Sequence, residues 1–473
     1  MADHVEDEFD EAFGRKEKDK KQTRTPLVEE ATEEIMSKYH FLTLEESDEV
    51  LYYKVGVYVT GGEILIGKEL ENIYGYELDT AKLGQIIAHI KRRTYHKREE
   101  LDKDINIINL KNGLYNIDKD QLSQHDPNYF SINQKPITFV NDAKPQRFGS
   151  FLKEVLYARE IRTAVEALAY TFHRDYIDET IFILLGFGAN GKTVYSSTLT
   201  ALHGPGNISN VPLSEMLSDR FALSDLENKD ANIDNELAGQ TIKETAVLKR
   251  LTGGSRQPIR IQRKNQSAYA ALIHSKLFFN ANKIPDSADT SDAYNRRVTI
   301  LTFPNRYEGA MADKQLVQKL TTDEELSGVF NALMIALRRI RRTQSVYVNE
   351  KTIEEKRTRY ERAHHPIRAF MNEVISEEST EEHYITKADF HIVYVLYCGK
   401  YSLPTEKYDS FCKSVKESRN NDGSQLIEIR KDLGDKYATG KAKLTYCWQG
   451  VRLNNDYAKL LLKSKGGSQR TLD

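Results

Sequence analysis

The spacing of apolar residues changes along the chain, and each change predicts an element. "TIFILL", ending at Leu185, is an unbroken apolar run and predicts a fully buried strand, as do "ALIHSKLFFN" and "VTILTF" further on. "FGSFLKEVL", "IRTAVEALAYTFH" and "TIKETAVLKRLTGG" place apolar residues at helical spacing. The last has a boxed start at Thr241 and Glu244 and a stop at Gly253-Gly254. In "EELSGVFNALMIALRRIRR", Leu326, Phe330, Leu333, Leu337 and Ile340 share one helical face. "DINIINLKNGLYNI" alternates apolar and polar residues around Asn112-Gly113, a hairpin signal.

Strands alternating with helices from Thr180 onward predict an α/β layer with a mostly parallel sheet. The final hundred or so residues read differently. Helices starting near Thr386 and Thr405 precede a ribbon, "QLIEIR" and "AKLTYCW", with Leu444, Tyr446 and Trp448 on one face. Helices followed by a terminal ribbon suggest a winged-helix-like module. The expected organisation is a disordered charged tail (1–28), an α+β domain (29–165), an α/β core (166–310), a helical segment (311–365) and the winged-helix-like module (366–473).

Composition narrows the setting more than the function. The 473 residues hold 68 basic and 70 acidic side chains, so net charge identifies no partner. Cys398, Cys412 and Cys447 form neither a disulfide framework nor a zinc pattern and read as core residues. No run approaches the roughly 18 apolar residues of a membrane span, and the expected compartment is cytoplasmic, or host-cytoplasmic for a mobile element.

Candidate chemistry begins at "GFGANGKTVYSS", where Gly186, Gly191, Lys192 and Thr193 have the spacing of a phosphate-binding loop between a strand and a helix. Glycines let successive N–H groups turn onto a β-phosphate, Lys192 reaches the β- and γ-phosphates, and the Thr193 hydroxyl ligates Mg²⁺. The expected cofactor-binding set is Gly186, Gly188, Ala189, Asn190, Gly191, Lys192, Thr193 and Val194, with ATP and Mg²⁺ as cofactors. In "ANIDNEL", Asp234 is the candidate metal residue and Glu236 the acid that polarises water, with Glu236 also near the metal. "LFFNANKIP" ends a strand with Asn280 and Asn282, able to orient that water. Asn282-Lys283 is followed by Ile-Pro-Asp, one residue too long for the base-reading signature of a GTP switch. In "NRRVTILTF", Arg296 or Arg297 could reach a neighbouring subunit's γ-phosphate.

Between Leu237 and Lys283 nine basic residues face one acid, Glu244, in a chain otherwise balanced. "PIRIQRKNQSAY" within it alternates like a hairpin, with Arg263, Lys264 and Asn265 near its tip and Arg260 on its first strand. Such a hairpin suits the phosphates of a single strand. Tyr269 nearby reads as a core residue more readily than as a stacking platform. The pairs Asp102/Asp104 and Asp118/Asp120 sit in polar turns and read as surface features.

In this order the motifs resemble those of a superfamily 3 helicase of the phage/plasmid primase–helicase type, a group that also includes the poxvirus primase–helicase. "NGLYNI…QHDPNYFSINQKPITFV" resembles the domain ahead of the ATPase, "GFGANGKT" the Walker A motif and "IDNE" the Walker B motif. "LKRLTGGSRQPIRIQRK" resembles the DNA-binding hairpin segment, "FFNANKIP" the asparagine sensor, "AYNRRVTILTF" the arginine-finger motif and "EELSGVFNALMIAL" the helical segment after the core. The resemblance implies an AAA+-like core in a ring, usually a hexamer, translocating 3′ to 5′ on single-stranded DNA. It implies Asn282 as sensor, Arg296 as preferred finger with Arg297 as fallback, and Arg260, Arg263 and Lys264 as DNA contacts. The expected function is a replicative ATP-dependent DNA helicase of a plasmid, virus or integrated element. An origin-melting initiator and a DNA-binding scaffold governed by ATP are the alternatives. Duplex DNA and a separate primase or initiator are further candidate partners, since little chain precedes Thr180.

Overall fold

The computed structural model describes residues 26–237, 245–254, 257–264, 268–285, 291–309, 312–418, 425–432 and 444–465. The expected tail up to residue 25, the boxed helix start at Thr241 and Glu244, and Asn265 at the hairpin tip lie outside the described residues. The chain divides into two compact units, one running through Lys103 and including Asp126–Ile132, the other comprising Asp104–His125 and Asn133–Asp473.

In the first unit, strands β1 (Phe41–Leu44), β2 (Val50–Lys54), β3 (Val57–Val59) and β4 (Tyr95–His96) form a sheet in the order β3-β2-β1-β4. Helices Pro26–Lys38, Gly62–Tyr74 and Thr80–Thr94 accompany it. The third is started by Asp79, whose carboxylate accepts the Lys82 N–H at 2.8 Å. Asp102 corrects an expectation: it is buried, not a surface residue. Its carboxylate accepts from the Ser131 hydroxyl at 2.5 Å and the Ile132 N–H at 3.1 Å, and those bonds make its burial tolerable.

The second unit opens with β5 (Ile107–Leu110) and β6 (Gly113–Asn116), joined in sheet order β7-β6-β5-β8 by β7 (Gln121–Ser123) and β8 (Gln134–Lys135). Leu110 pairs with Gly113, so Lys111 and Asn112 form the turn and the glycine opens the second strand. A Cβ at Gly113 would stand 2.3 Å from the Ser123 carbonyl oxygen, which explains the glycine. Asp118 and Asp120 do lie at the surface, paired with Arg341 at 3.0 Å and Arg338 at 3.1 Å.

Seven further strands follow: β9 (Ile181–Leu185), β10 (Ile208–Ser209), β11 (Ala231–Asp234), β12 (Ile259–Ile261), β13 (Tyr269–Ala271), β14 (Lys276–Ala281) and β15 (Val298–Thr302). Five make an all-parallel sheet in the order β10-β11-β14-β9-β15, while β12 and β13 pair as a separate antiparallel hairpin. The unbroken apolar runs follow from burial on both faces. Ile181, Ile183 and Leu185 enter one hydrophobic cluster, and Phe182 and Leu184 enter the other.

The cluster containing Phe182 includes the helices Phe148–Val155, Ile161–Tyr170, Lys192–His203 and Asp323–Thr343. Residues 133–165 therefore belong with the parallel sheet, and the units divide near Lys103 rather than at residue 165. The opposite cluster runs continuously from Ile183 and Ile300 through Phe370, Phe390 and Tyr397 to Trp448. The C-terminal ribbon is β17 (Ile427–Asp432) with β18 (Leu444–Gln449), flanked by an unpredicted third strand, β16 (Tyr384–Thr386). Cys398 and Cys447 are buried and Cys412 is half-buried.

The helix Asp323–Thr343 holds the chain ahead of the sheet in two ways. Leu326, Phe330, Leu333, Leu337 and Ile340 are all buried. At Gly328 the incoming backbone passes so close that a Cβ would fall 2.3 Å from Pro145 N. One turn earlier, the Glu325 carboxylate accepts the N–H groups of Gln146, Arg147 and Phe148 at 2.8, 2.9 and 2.8 Å. Those of Arg147 and Phe148 are orphan donors at the start of helix Phe148–Val155, whose N-cap is Arg147. Glu325→Ala, which strands them, is expected to cost about 3 kcal/mol in urea denaturation, with Glu325→Gln costing less. An unchanged midpoint in the alanine variant would contradict this account.

Candidate functional site

Strand β9 ends at Leu185 and the helix Lys192–His203 begins after six intervening residues, so Gly186–Gly191 must reverse direction in a short span. Gly188, Ala189 and Gly191 achieve this with φ of +46°, +48° and +96°. Backbone turned tightly in this way beside a helix N-terminus is suited to offer N–H groups to an anion. Ala189 carries a side chain in that strained region. Its carbonyl accepts the Tyr307 N–H at 2.7 Å, which ties it to the chain after β15. Two glycines are fixed by close approach: a Cβ on Gly186 would sit 2.5 Å from Phe303 O, and one on Gly191 2.7 Å from Val155.

The loop floors a cleft of about 630 Å³. Asn235, Glu236, Asn282 and Lys192 line it together with the apolar Phe151, Val155, Tyr307 and Leu316, and with Arg147 and Asp313 among the polar groups. Lys192 is buried, which pushes its ammonium down to about 8, still mostly charged at neutral pH. It donates to the Gly186 carbonyl and, at 3.2 Å, to Asn282 Oδ1. Gly188, Ala189, Asn190, Thr193 and Val194 all reach the cleft, so the loop residues, Glu236 and Asn282 are brought together.

Asp234 stands apart from them. It is buried at the end of β11, its Oδ2 accepting the Leu213 N–H at 2.9 Å and its Oδ1 the Glu236 N–H at 3.1 Å. The residues lining the cleft there are Asn235 and Glu236. Asn280 is also buried, with its amide nitrogen 3.3 Å from the Ser196 hydroxyl and its oxygen without a partner. Among the described residues, no group of three His, Cys, Asp or Glu side chains could hold a metal unaided.

The two arginines lie at the opposite edge of the sheet. Because β15 runs parallel to β9 with Val298 opposite Ile181, Arg296 and Arg297 precede the strand that ends level with the loop. Five residues of strand, roughly 16 Å, separate them from it. Arg297 is buried, pairs with Glu179 at 2.5 Å and donates to the Thr252 hydroxyl at 2.9 Å. Arg296 pairs with the same Glu179 at 2.6 Å, but its side chain is half exposed.

On the hairpin, Arg260 and Lys264 are exposed. Arg263 is committed to a partner, donating to Glu227 at 2.6 Å, and the Tyr269 hydroxyl donates to the same oxygen at 2.7 Å. Sequence reasoning missed Phe151, Val155, Tyr307 and Leu316 on the cleft, and Glu227 beside the hairpin. The first two carried a core-helix signal only, and Glu227 lies outside the basic stretch.

The geometry defines an α/β unit with a glycine-rich loop opening on a cleft at the C-terminal edge of a parallel sheet, where such sheets commonly bind ligands. Residues 10–157 match the family described as D5 N terminal like, and residues 184–297 match a family of unknown function, DUF5906. No curated protein matches the chain. Among solved structures, the apo structure of the NrS-1 C terminal region (305-718) is similar at 12% identity, covering 89% of this chain and 98% of that one, with a TM-score of 0.44. The A form apo structure of the NrS-1 C terminal region is similar at 11% identity over the same shares, with a TM-score of 0.45. Among the described residues no helix is long and apolar enough to cross a membrane.

The two arginines should separate by stability. Arg297→Ala is expected to cost about 2 kcal/mol, since it empties a buried position and strips partners from Thr252 and Glu179. Arg296→Ala should stay within about 0.5 kcal/mol. Thermal unfolding of both variants checks this, and equal losses would contradict the division.

Proposed function

We propose that this chain is an ATP-dependent DNA helicase of the superfamily 3 type, assembling as a ring, with a hexamer expected, and serving replication of a plasmid, virus or integrated element. One observation carries the reading: the phosphate loop, Glu236 and Asn282 converge in one cleft, while the exposed Arg296 sits at the opposite edge of the same sheet. Arg147 of the same chain lines this cleft, and an arginine at the far edge, such as Arg296, can reach only the cleft of a neighbouring subunit. The match of residues 10–157 to the D5 N terminal like family supports a primase–helicase kind of protein acting in replication.

On this reading the loop N–H groups hold the β-phosphate and Lys192 moves from the Gly186 carbonyl to the β- and γ-phosphates. The apolar part of the cleft lining, with Phe151, Val155 and Tyr307, takes the base. Thr193 and Glu236, both on the cleft, would hold Mg²⁺, which supplies charge neutralisation on the phosphates when bound. Asp234 acts from behind, since both its oxygens engage backbone N–H groups. Glu236 polarises the attacking water and Asn282, already bonded to Lys192, orients it. Arg296 from the next subunit stabilises the transition-state charge. Hydrolysis then moves the β12–β13 hairpins, with Arg260, Arg263 and Lys264, along a single strand, 3′ to 5′. Duplex DNA would meet the C-terminal module.

ATP turnover should rise with single-stranded DNA in the assembled oligomer; slow turnover indifferent to DNA would favour a scaffold instead. Lys192→Ala should lower turnover by at least about a hundredfold while keeping the wild-type circular dichroism spectrum. Wild-type turnover in that variant would sink the loop's assignment. Lys264→Ala should shallow the log–log salt dependence of single-strand binding by about 0.7, one phosphate contact. An unaltered slope would take the hairpin off the DNA path.

A further inference from the structure

Glu227 is a buried carboxylate outside both the nucleotide cleft and the hairpin, and it follows the short turn Ala222–Leu226. Its Oε2 accepts from the Arg263 guanidinium at 2.6 Å and from the Tyr269 hydroxyl at 2.7 Å, two groups that bracket the hairpin tip. Glu227, Arg263 and Lys264 line a groove of about 840 Å³ that also carries Glu215, Asp219 and Asp225. Arg263 thus rests against a carboxylate of its own chain.

The pair is not needed to position the hairpin strands. Ile259, Ile261 and Ala271 are buried in the main cluster and pin β12 and β13 there. What the pair fixes is the direction of one cation. A carboxylate and a phosphate offer a guanidinium the same charge-assisted geometry. The Arg263 side chain is 35% exposed and its partner only 5%, so an incoming anion can reach the arginine without first exposing the glutamate.

We propose that Glu227 is an internal stand-in for a backbone phosphate: it holds Arg263 in the groove at rest, and a single strand of nucleic acid must displace it to engage the hairpin. The inference rests on the hairpin being the DNA-contacting element. Glu227→Gln keeps the acceptor for Tyr269 and removes the charge that competes for Arg263.

Binding of fluorescein-labelled oligothymidylate to the full chain, followed by anisotropy, tests this. Glu227→Gln should tighten binding roughly five- to tenfold, the scale of one charge-assisted contact. In an Arg263→Ala background the same substitution should change it by less than about twofold. Weaker or unchanged binding by Glu227→Gln, with wild-type thermal unfolding, overturns the latch and leaves the helicase reading standing. An equal gain in both backgrounds overturns it too, because it would report only a general loss of negative charge. Binding by neither Glu227→Gln nor wild-type protein overturns the latch together with the reading beneath it.

Discussion

Strand β9 runs parallel to both neighbours, and its registers with β14 and β15 determine where each candidate group can be. Leu185 lies opposite Ala281 on one side and Thr302 on the other, so three strands end level. The segments that leave them are the phosphate loop, the Asn282 turn and the stretch leading to Tyr307. All must meet at that edge, and side chains far apart in sequence converge there without any long connection being ordered for the purpose. The same register sends whatever precedes β9 and β15 to the other edge. Glu179, Arg296 and Arg297 meet there for that reason. Antiparallel pairing of β15 would have put the arginines beside the loop of their own chain and removed the case for a shared site.

The cleft's second wall depends on elements outside the sheet. Val155 and Phe151 face Gly191 from the helix Phe148–Val155. That helix starts where Glu325 gathers three backbone N–H groups, and Gly328 admits the preceding chain at contact distance. The long helix Asp323–Thr343 therefore sets the distance between loop and wall, although none of its residues reaches the cleft. A carboxylate with three backbone bonds is rigid, so the wall behaves as a fixed surface against which the strained loop is held. The strain at Ala189 is carried by the Tyr307 bond and by this support.

Much of this was legible from the residues alone because it rests on period and on glycine. The double-faced burial of β9, β14 and β15 demands continuous apolar runs, and the helix Asp323–Thr343 demands its stripe from Leu326 to Ile340. The hairpin at Asn112-Gly113 was visible too, although the glycine answers a collision with the Ser123 carbonyl as well as a backbone φ of +153°. Elements of two or three residues, β8, β10 and β16, are too short to show a period. The burial of Asp102 was hidden because its partners, Ser131 and Ile132, lie about thirty positions away. The difference between Arg296 and Arg297 was equally hidden, since it is set by Glu179 and Thr252 in three dimensions. Charge counting found the hairpin and could not find Glu227, whose effect depends on one contact made from a segment of mixed charge.

The polarity of "ANIDNEL" had no explanation in a strand buried along its length, and its hydrogen bonds supply one. Asn232 exchanges bonds of 2.8 and 2.9 Å with the Val211 backbone, and Asp234 accepts from Leu213, so β11 is stitched to the segment that runs on toward the groove. The other oxygen of Asp234 holds the Glu236 N–H. A single carboxylate thus joins the acid on the nucleotide cleft to the chain bordering the groove where Arg263 rests. Apolar residues at these positions would pack as well but leave the N–H groups of Leu213 and Glu236 without this shared acceptor. On the proposed reading, any pull on Asp234 from charge arriving in the cleft must loosen one of two backbone bonds. The Leu213 bond leads into the chain that borders the groove, a route by which nucleotide would be felt at the hairpin.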